Sequence, residues 1–515
     1  MTESALLIDF YRGAVYPLGL EGESGSYYEH QNTKCVKPLV NLCAAYIVLD
    51  CTMTKIAAVT VPNELKIILM QEALLCSRDQ AFGVLMYEWP ISYLSLKSLV
   101  PGFCSTIRPL YDLNFLMTQV HKAMLWTTCL VNAFIKGMQK DKFSVLRYLD
   151  LSGYPTSEVI VSYLAVSCLM SYSDNATKQQ VQPAITTATR SLNKDRGITD
   201  DTFVVKLDAL LMSDQALQEL AKAMVVISDC HCKLHLCINK LGVTCNGAKK
   251  TAVLLREIDH QELHGLCLKF NALTCVDLVG LAPSIKSLVN LTAIDLSCNN
   301  INFYLSDTTC DLISEVFKHL RQLSRLDLSN NRIKTKLRRL LAEIPQSLTY
   351  LRLAACGLTV TDITYLARSH HCEHLTELDL SENGLGRACT YVVQLLYALS
   401  KNLRVLEIED SFLKDEHILA IEPAVRSMES LLYINVAENV FSRNMQKLLT
   451  KAISGIQSMQ VFRLSYASDC YLFESNEEES NAQSQNLKEL EELAVRHTEK
   501  SSQLKIEIIE LCRGH

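Results

Sequence analysis

The sequence predicts an α/β solenoid in which short strands alternate with helices, preceded by a mainly helical unit. Three observations predict it. One apolar pattern returns about every 28 residues from residue 234 onward; each copy is followed by a stretch of helical spacing; and residues 35–170 carry helical spacing without any repeat.

The pattern is LxxLxxLxLxxNxL. Leu288, Leu291, Ile294, Leu296, Asn299 and Ile301 fill every defined position, and Leu320 through Asn331 to Ile333 fill them again. Further copies run from Leu348 to Leu358 with Cys356 in the Asn place, Leu375 to Leu385, Leu403 to Leu413 with Ser411, and Met428 to Phe441. Looser copies lie around Asn271 and Asn239. The Asn places fall at 239, 271, 299, 331, 356, 383, 411 and 439, in steps of 32, 28, 32, 25, 27, 28 and 28. Alternation in a strand sends the leucines of LxL inward and the residue between them outward. The Asn side chain can satisfy backbone groups exposed where the chain leaves the strand, a task that Cys and Ser perform less well. The remainder of each repeat is helical, as in Val392, Leu395, Leu396 and Leu399. These are leucine-rich repeats at the long end of their range, which implies a ribonuclease-inhibitor-like horseshoe. Eight strands at their usual spacing would line a concave wall of about 40 Å.

The outward strand positions are Asp295, Asp327, Arg352, Asp379, Glu407, Asn435 and Arg463, flanked by Glu382, Glu409, Asp410 and Glu438. Two readings stand: an acidic wall for a basic protein substrate, with Asp295, Asp327, Arg352, Asp379, Glu407, Glu409 and Arg463 as its face, or acids that merely keep the surface soluble.

Composition narrows the function classes. With 50 Lys and Arg against 56 Asp and Glu, the net charge of −6 lacks the basic field that holds phosphate backbones, so no nucleic-acid partner is expected. Glu3 and Asp9 stand where a signal peptide would be positive. The most apolar stretch, 41–61, is broken by Asp50 and Lys55, making a poor membrane span and a reasonable pair of buried helices. Twenty cysteines without framework spacing read mostly as core thiols of a reducing compartment, cytoplasmic or also nuclear. A Gly-rich phosphate loop, a Ser-His-Asp spacing and a nucleophile elbow are all missing, so neither an enzyme nor a cofactor is expected. Cys230, His231, Cys232, His235 and Cys237 suggest a metal, but alternation along the strand scatters them over two faces. His370, His371, Cys372 and His374 sit at a helix end, where structure suffices. The predicted organisation is a poorly patterned 1–34, a helical unit and cap over 35–170, and a polar loop over 171–201. Repeats over 202–471 and an acidic loop with a capping helix over 472–515 complete it.

The helical unit is predicted to contain helices over 36–49, 64–75, 81–87 and 113–138 and a strand over 145–151. Pro38, Leu39, Cys43 and Ile47 match the BC box, the helix by which substrate receptors bind Elongin C. Leu39, Cys43 and Ile47 recur every four residues and form one apolar stripe that could lie in a partner's groove or face the chain's own core. Val61, Pro62, Leu65 and Leu69 fit the cullin-2 box, with Pro62 at the first turn of a helix. The same residues also resemble the start of an F-box, which would recruit cullin-1 through a Skp-type adaptor.

In order along the chain, Leu39–Val48, Val61–Leu69, Glu88-Trp89-Pro90, Leu146–Gly153, Leu234–Cys237, Leu348–Asn383 and Asp469–Tyr471 resemble the PRAME family over roughly residues 36–471. The resemblance implies a non-catalytic substrate receptor of a cullin-2 RING ubiquitin ligase. Leu39, Cys43 and Ile47 would contact Elongin C of Elongin B–C, and Pro62, Leu65 and Leu69 would contact cullin-2 with its RING subunit. It also brings links to restraint of NF-κB signalling and to transcriptional repression. The alternative is an inhibitory scaffold that sequesters a signalling protein without a ligase.

Overall fold

The computed structural model describes residues 2–14, 37–100, 113–171, 202–227, 232–472, 476–497 and 504–510, arranged as two compact units, Met1–Cys267 and Leu268–His515. Most of the predicted 171–201 loop lies outside the described residues.

The first unit opens with α1 (Glu3–Arg12), inside the stretch expected to be unpatterned. Thr2 caps it, its hydroxyl accepting from the Ala5 amide, and Leu7, Phe10 and Tyr11 are buried. Next come α2 (Leu39–Ile47), α3 (Cys51–Thr60), α4 (Asn63–Leu75), α5 (Asp79–Tyr87), β1 (Tyr93–Ser95) and α6 (Leu96–Leu99). The sequence predicts a pair of helices over 41–61 without giving bounds for the second, α3. Its signal is Asp50, an N-cap whose carboxylate accepts from Thr52 N at 2.6 Å and Met53 N at 3.2 Å. The long α7 (Leu113–Gln139) is the centre of this core: Leu116, Val120, Ala123, Leu130 and Phe134 form a buried stripe. Thr127, fully buried on the same stripe, gives its hydroxyl to Pro155 O at 3.0 Å. Then β2 (Tyr148–Asp150), α8 (Glu158–Ser171), β3 (Phe203–Leu211), α9 (Asp214–Ile227), β4 (Leu234–Val243), α10 (Ala248–Glu257) and β5 (Gly265–Cys267) complete the unit. Strands β1 to β5 lie side by side in chain order, all parallel.

The second unit repeats a strand and a helix: α11 (Cys275–Lys286), β6 (Ala293–Asp295), α12 (Asp307–His319), β7 (Arg325–Asp327), α13 (Leu337–Leu341), β8 (Tyr350–Arg352), α14 (Val360–Leu366), β9 (Glu377–Asp379), α15 (Cys389–Leu399), β10 (Val405–Glu407), α16 (Asp415–Arg426), β11 (Tyr433–Asn435), α17 (Arg443–Ser454) and β12 (Val461–Ser465). It ends with α18 (Asn476–His497) and β13 (Lys505–Ile509). Parallel pairing from β6 to β13 puts Ile294, Leu326, Leu351, Leu378, Leu406, Ile434 and Phe462 in one buried row.

The Asn places form a ladder that ties each repeat to the one before it. Asn331, 1% exposed, donates from Nδ2 to Leu296 O at 3.0 Å and Leu328 O at 2.9 Å, while its Oδ1 accepts from Ile301 N at 2.8 Å. Asn299, Asn383 and Asn439 repeat the arrangement. Cys356 has no such oxygen. Its thiol reaches Leu328 O at 3.3 Å, and the preceding amide, Ile333 N, is taken by the Cys356 carbonyl instead. Ser411 behaves likewise, with Leu385 N on its carbonyl. Just before each marker from Asn271 onward the backbone is left-handed, at Phe270, Cys298, Asn330, Ala355, Glu382, Asp410 and Glu438.

Two expectations change here. The acidic stretch is helix and not loop over 476–486: a helix runs from Asn476, with Glu477, Glu478 and Glu479 in its first turn, where the helix dipole favours them. Ala482, Asn486, Leu490 and Ala494, four apart, are its buried stripe. The end of the chain adds a strand as well as a helix, with β13 pairing to β12. Among the described residues no helix is long and apolar enough to cross a membrane.

Candidate protein-binding site

Helix α2 turns its apolar side outward. Leu39 is 76% exposed and Tyr46 73%, and Cys43, Val40 and Leu42 are exposed too; Ile47 is half-buried and Pro38 exposed. Only Ala44 within the helix is buried, followed by Val48 just past its end. A polar clamp holds it this way. Glu72 of α4, 1% exposed, accepts from Lys37 Nζ at 2.9 Å and from Asn41 Nδ2 at 3.1 Å. A buried carboxylate needs such partners, so the helix face bearing Asn41 is fixed against α4 and the stripe opposite is left to solvent. The Thr54 hydroxyl bonds both Asp50 O and Ile47 O, which ties α3 to the end of α2. On α3, Met53, Ile56 and Val59 are exposed in turn, three residues apart. The pair of helices over 41–61 therefore exists, but it is not a buried pair. A run of exposed apolar side chains on two neighbouring helices is a candidate binding surface.

The second motif divides. Pro62 is exposed, Leu65 is 40% exposed and Val61 half-buried, whereas Leu69 is 3% exposed. Leu69 belongs to the inward stripe Lys66, Leu69, Met70, Ala73 of α4, so it cannot touch a cullin. Spacing four apart placed it with Leu65; the 40° that four residues drift around a helix carry it across the edge of the core.

On the strand face of the second unit, Asp295, Asp327, Arg352, Asp379, Glu407, Asn435 and Arg463 stand in register in one row. They are not a free acidic wall. Asp295, Asp327 and Asp379 are buried, and each carboxylate accepts from the amide two residues on, Ser297, Ser329 and Ser381, at 2.9 Å. Asn435 does the same for Ala437 N at 3.0 Å. These are turn-forming side chains. Arg352 bonds Glu407 at 2.7 Å with Asp379 at 3.8 Å, Arg325 bonds Glu377 at 3.1 Å, and Asn435 donates to Glu409 at 2.7 Å. The Arg325 guanidinium lies 4.0 Å over the Tyr350 ring. Burial, with the Asp295 carboxylate beside it, pushes Asp327 up to about 7. Burial also raises Glu382, helped by Asp410, Asp379 and Glu409, so acid gathers over β9 to β11. Arg463 and Glu409 are half-buried.

His370, His371 and Cys372 are engaged structurally: His370 Nε2 with Ile344 O, His371 with Leu348 N and Leu341 O, and the Cys372 thiol with Leu366 O. In β4, Leu234, Leu236 and Ile238 are buried while His235 and Cys237 are half-buried, the alternation expected; Cys230 and His231 lie outside the described residues. Among the described residues no three His, Cys, Asp or Glu side chains are placed to hold a metal ion.

Sequence reasoning missed Leu42, Tyr46, Met53, Ile56 and Val59 as surface residues. The available signal was that residues 39–49 are apolar on every side except at Asn41, more than one neighbouring helix can cover.

A leucine-rich repeat family model matches residues 371–387. Leucine-rich repeat-containing protein 14 of Xenopus laevis is 25% identical over 455 residues, which is 85% of this chain and 89% of that protein. The chain is similar to leucine-rich repeat-containing protein 14. The Homo sapiens protein of that name is 23% identical over 434 residues, covering 80% of this chain and 83% of its own length. The resemblance read from the ordered segments is thereby borne out, as is the leucine-rich-repeat fold. Among solved structures, the leucine-rich repeat-containing protein LegL7 from Legionella pneumophila shares 17% identity, with a TM-score of 0.34, over 55% of this chain and 89% of its own.

Proposed function

We propose that this leucine-rich-repeat protein is the substrate-recognition subunit of a cullin-2 RING ubiquitin ligase. In this reading α2 docks on Elongin C of Elongin B–C, and the acid-rich strand face over β9 to β11 receives the protein substrate. The observation that carries it is the exposure of Leu39 and Cys43 on a helix whose opposite face is clamped to Glu72. An apolar anchor held rigidly in water loses little conformational freedom when it enters a pocket. The cullin contact rests on Pro62 and Leu65, without Leu69.

The test is Leu39→Asp combined with Cys43→Asp in the full chain, followed by co-purification with Elongin C. Loss of Elongin C with an unchanged circular dichroism melt is the expected result. Undiminished capture removes the ligase reading and leaves the inhibitory scaffold. Capture of a Skp-type adaptor in place of Elongin C overturns it in favour of cullin-1.

A further inference from the structure

We propose that Cys168 and Cys232 form a reversible oxidative-modification site, a dithiol that closes to a disulfide and staples α8 to the start of β4. The proposal is independent of the ligase reading. Cys168 lies in the last turn of α8, 64 residues before Cys232, and both are free thiols in the structure. Their sulfurs are 3.1 Å apart. That is about 1 Å beyond the length of a disulfide bond, so closure needs only a small shift.

The surroundings assign different roles to the two sulfurs. The Ser171 hydroxyl lies 3.2 Å from the Cys232 sulfur, and the Cys168 thiol lies against it on another side, so two donors can stabilise a Cys232 thiolate. Leu234 O lies 3.0 Å from both sulfurs and Cys168 O lies 3.2 Å from Cys232, so the backbone offers each thiol an acceptor and the Ser171 hydroxyl is what sets Cys232 apart. In keeping with this, hydrogen bonding from Cys168 brings Cys232 down to about 7, against the opposing effect of burial, and the same contact raises Cys168 far above an ordinary thiol. A thiolate beside a protonated thiol is the pairing of an attacking and a resolving cysteine. Both are nearly fully buried, which limits the oxidant to something small, such as a peroxide.

With hydrogen peroxide the steps balance. The Cys232 sulfur attacks one peroxide oxygen and the O–O bond breaks. The departing hydroxide takes up the proton Cys232 had lost and leaves as water, and Cys232 becomes a sulfenic acid. The Cys168 sulfur then attacks that sulfur and the S–OH bond breaks. The second hydroxide takes the Cys168 proton. Two thiols and one peroxide give one disulfide and two waters. In a reducing compartment such a bond is transient, which suits a sensor better than a permanent brace.

The test treats the full-length chain with hydrogen peroxide, blocks remaining thiols, and maps peptides by mass spectrometry. The expected result is a linked Cys168–Cys232 peptide pair, about 2 Da lighter than the two reduced peptides together and released by dithiothreitol. Cys168→Ala removes the resolving thiol, so after peroxide treatment, labelling of Cys232 by dimedone added with denaturant should rise several-fold. Recovery of Cys168 and Cys232 as thiols, at a peroxide dose that oxidises the exposed Cys43 and Cys76, overturns the proposal. So does a linkage of either residue to a different cysteine. The mapping of the unsubstituted chain decides the question even if the variant does not fold.

Discussion

Replacing Asn331 with Ala removes one rung of the ladder between repeats. The side chain is 1% exposed, so water does not replace what it loses. Its Nδ2 serves Leu296 O, Leu328 O and, at 3.3 Å, Ser329 O, and its Oδ1 serves Ile301 N. Truncation leaves one buried amide and two well-placed carbonyls without that partner. Each lost bond is worth about 1 kcal/mol, and an orphaned buried group costs about 1–3 kcal/mol, so the total is about 3–5 kcal/mol. Cys356→Ala at the equivalent place is an internal control. The Ile333 amide there is held by backbone oxygen, and only weak thiol contacts disappear, so about 1 kcal/mol is expected. Urea unfolding followed by circular dichroism gives both values, and amide exchange at Ile301 gives a local reading. Equal losses in the two variants, or unchanged protection of Ile301, would refute the claim that the Asn oxygen holds the neighbouring repeat.

Leu69→Ala should destabilise the fold by about 2–5 kcal/mol in urea, as expected for a core leucine, whereas Leu65→Asp should leave the midpoint almost unchanged. Burial, with His370 alongside, lowers His371 to about 4, below its unfolded 6.5. The native state therefore binds fewer protons between those values. Stability is full above pH 6.5 and falls by about 3 kcal/mol as pH drops to 4, so His371→Gln should flatten a midpoint-versus-pH curve there. Asp327 runs the other way: its raised value means stability that is present below pH 4 and lost as pH rises to 7. Asp327→Asn keeps an acceptor for Ser329 N, as Asn435 does for Ala437 N, and should gain midpoint relative to the unsubstituted chain at pH 8 but not at pH 4. Gly137→Ala would drive a methyl group into the Phe143 ring and should cost about 1–3 kcal/mol by the same assay.

The repeats were legible because two rigid constraints write themselves into sequence: the alternation of LxL and the single side chain able to serve amide and carbonyl groups at once. Even the exceptions at Cys356 and Ser411 were readable as weaker substitutes. Helix α2 was legible as a helix with a regular stripe, but not the direction that stripe faces. That depends on Glu72, a charge more than 30 residues away whose burial draws the Asn41 amide and the Lys37 ammonium onto α4. For α18 the failure was one of emphasis, since three glutamates in a row mask Ala482, Asn486, Leu490 and Ala494 behind them. The strand-face acids misled for a different reason. A side chain can point away from the core and still be spent on its own backbone, as the Asp295, Asp327 and Asp379 turns are. Left-handed backbone at Glu382, Asp410 and Glu438 left no trace, because neither Glu nor Asp advertises it as Gly would.

The two places where Cys356 and Ser411 interrupt the ladder bracket the repeats that carry Asp379, Glu382, Glu407 and Glu409. Where neighbouring coils are joined by fewer side-chain oxygens, the cheapest partial unzipping of the second unit begins. The most acidic stretch of the strand face thus lies between the two interrupted rungs, with Asn383 as the intact rung inside it.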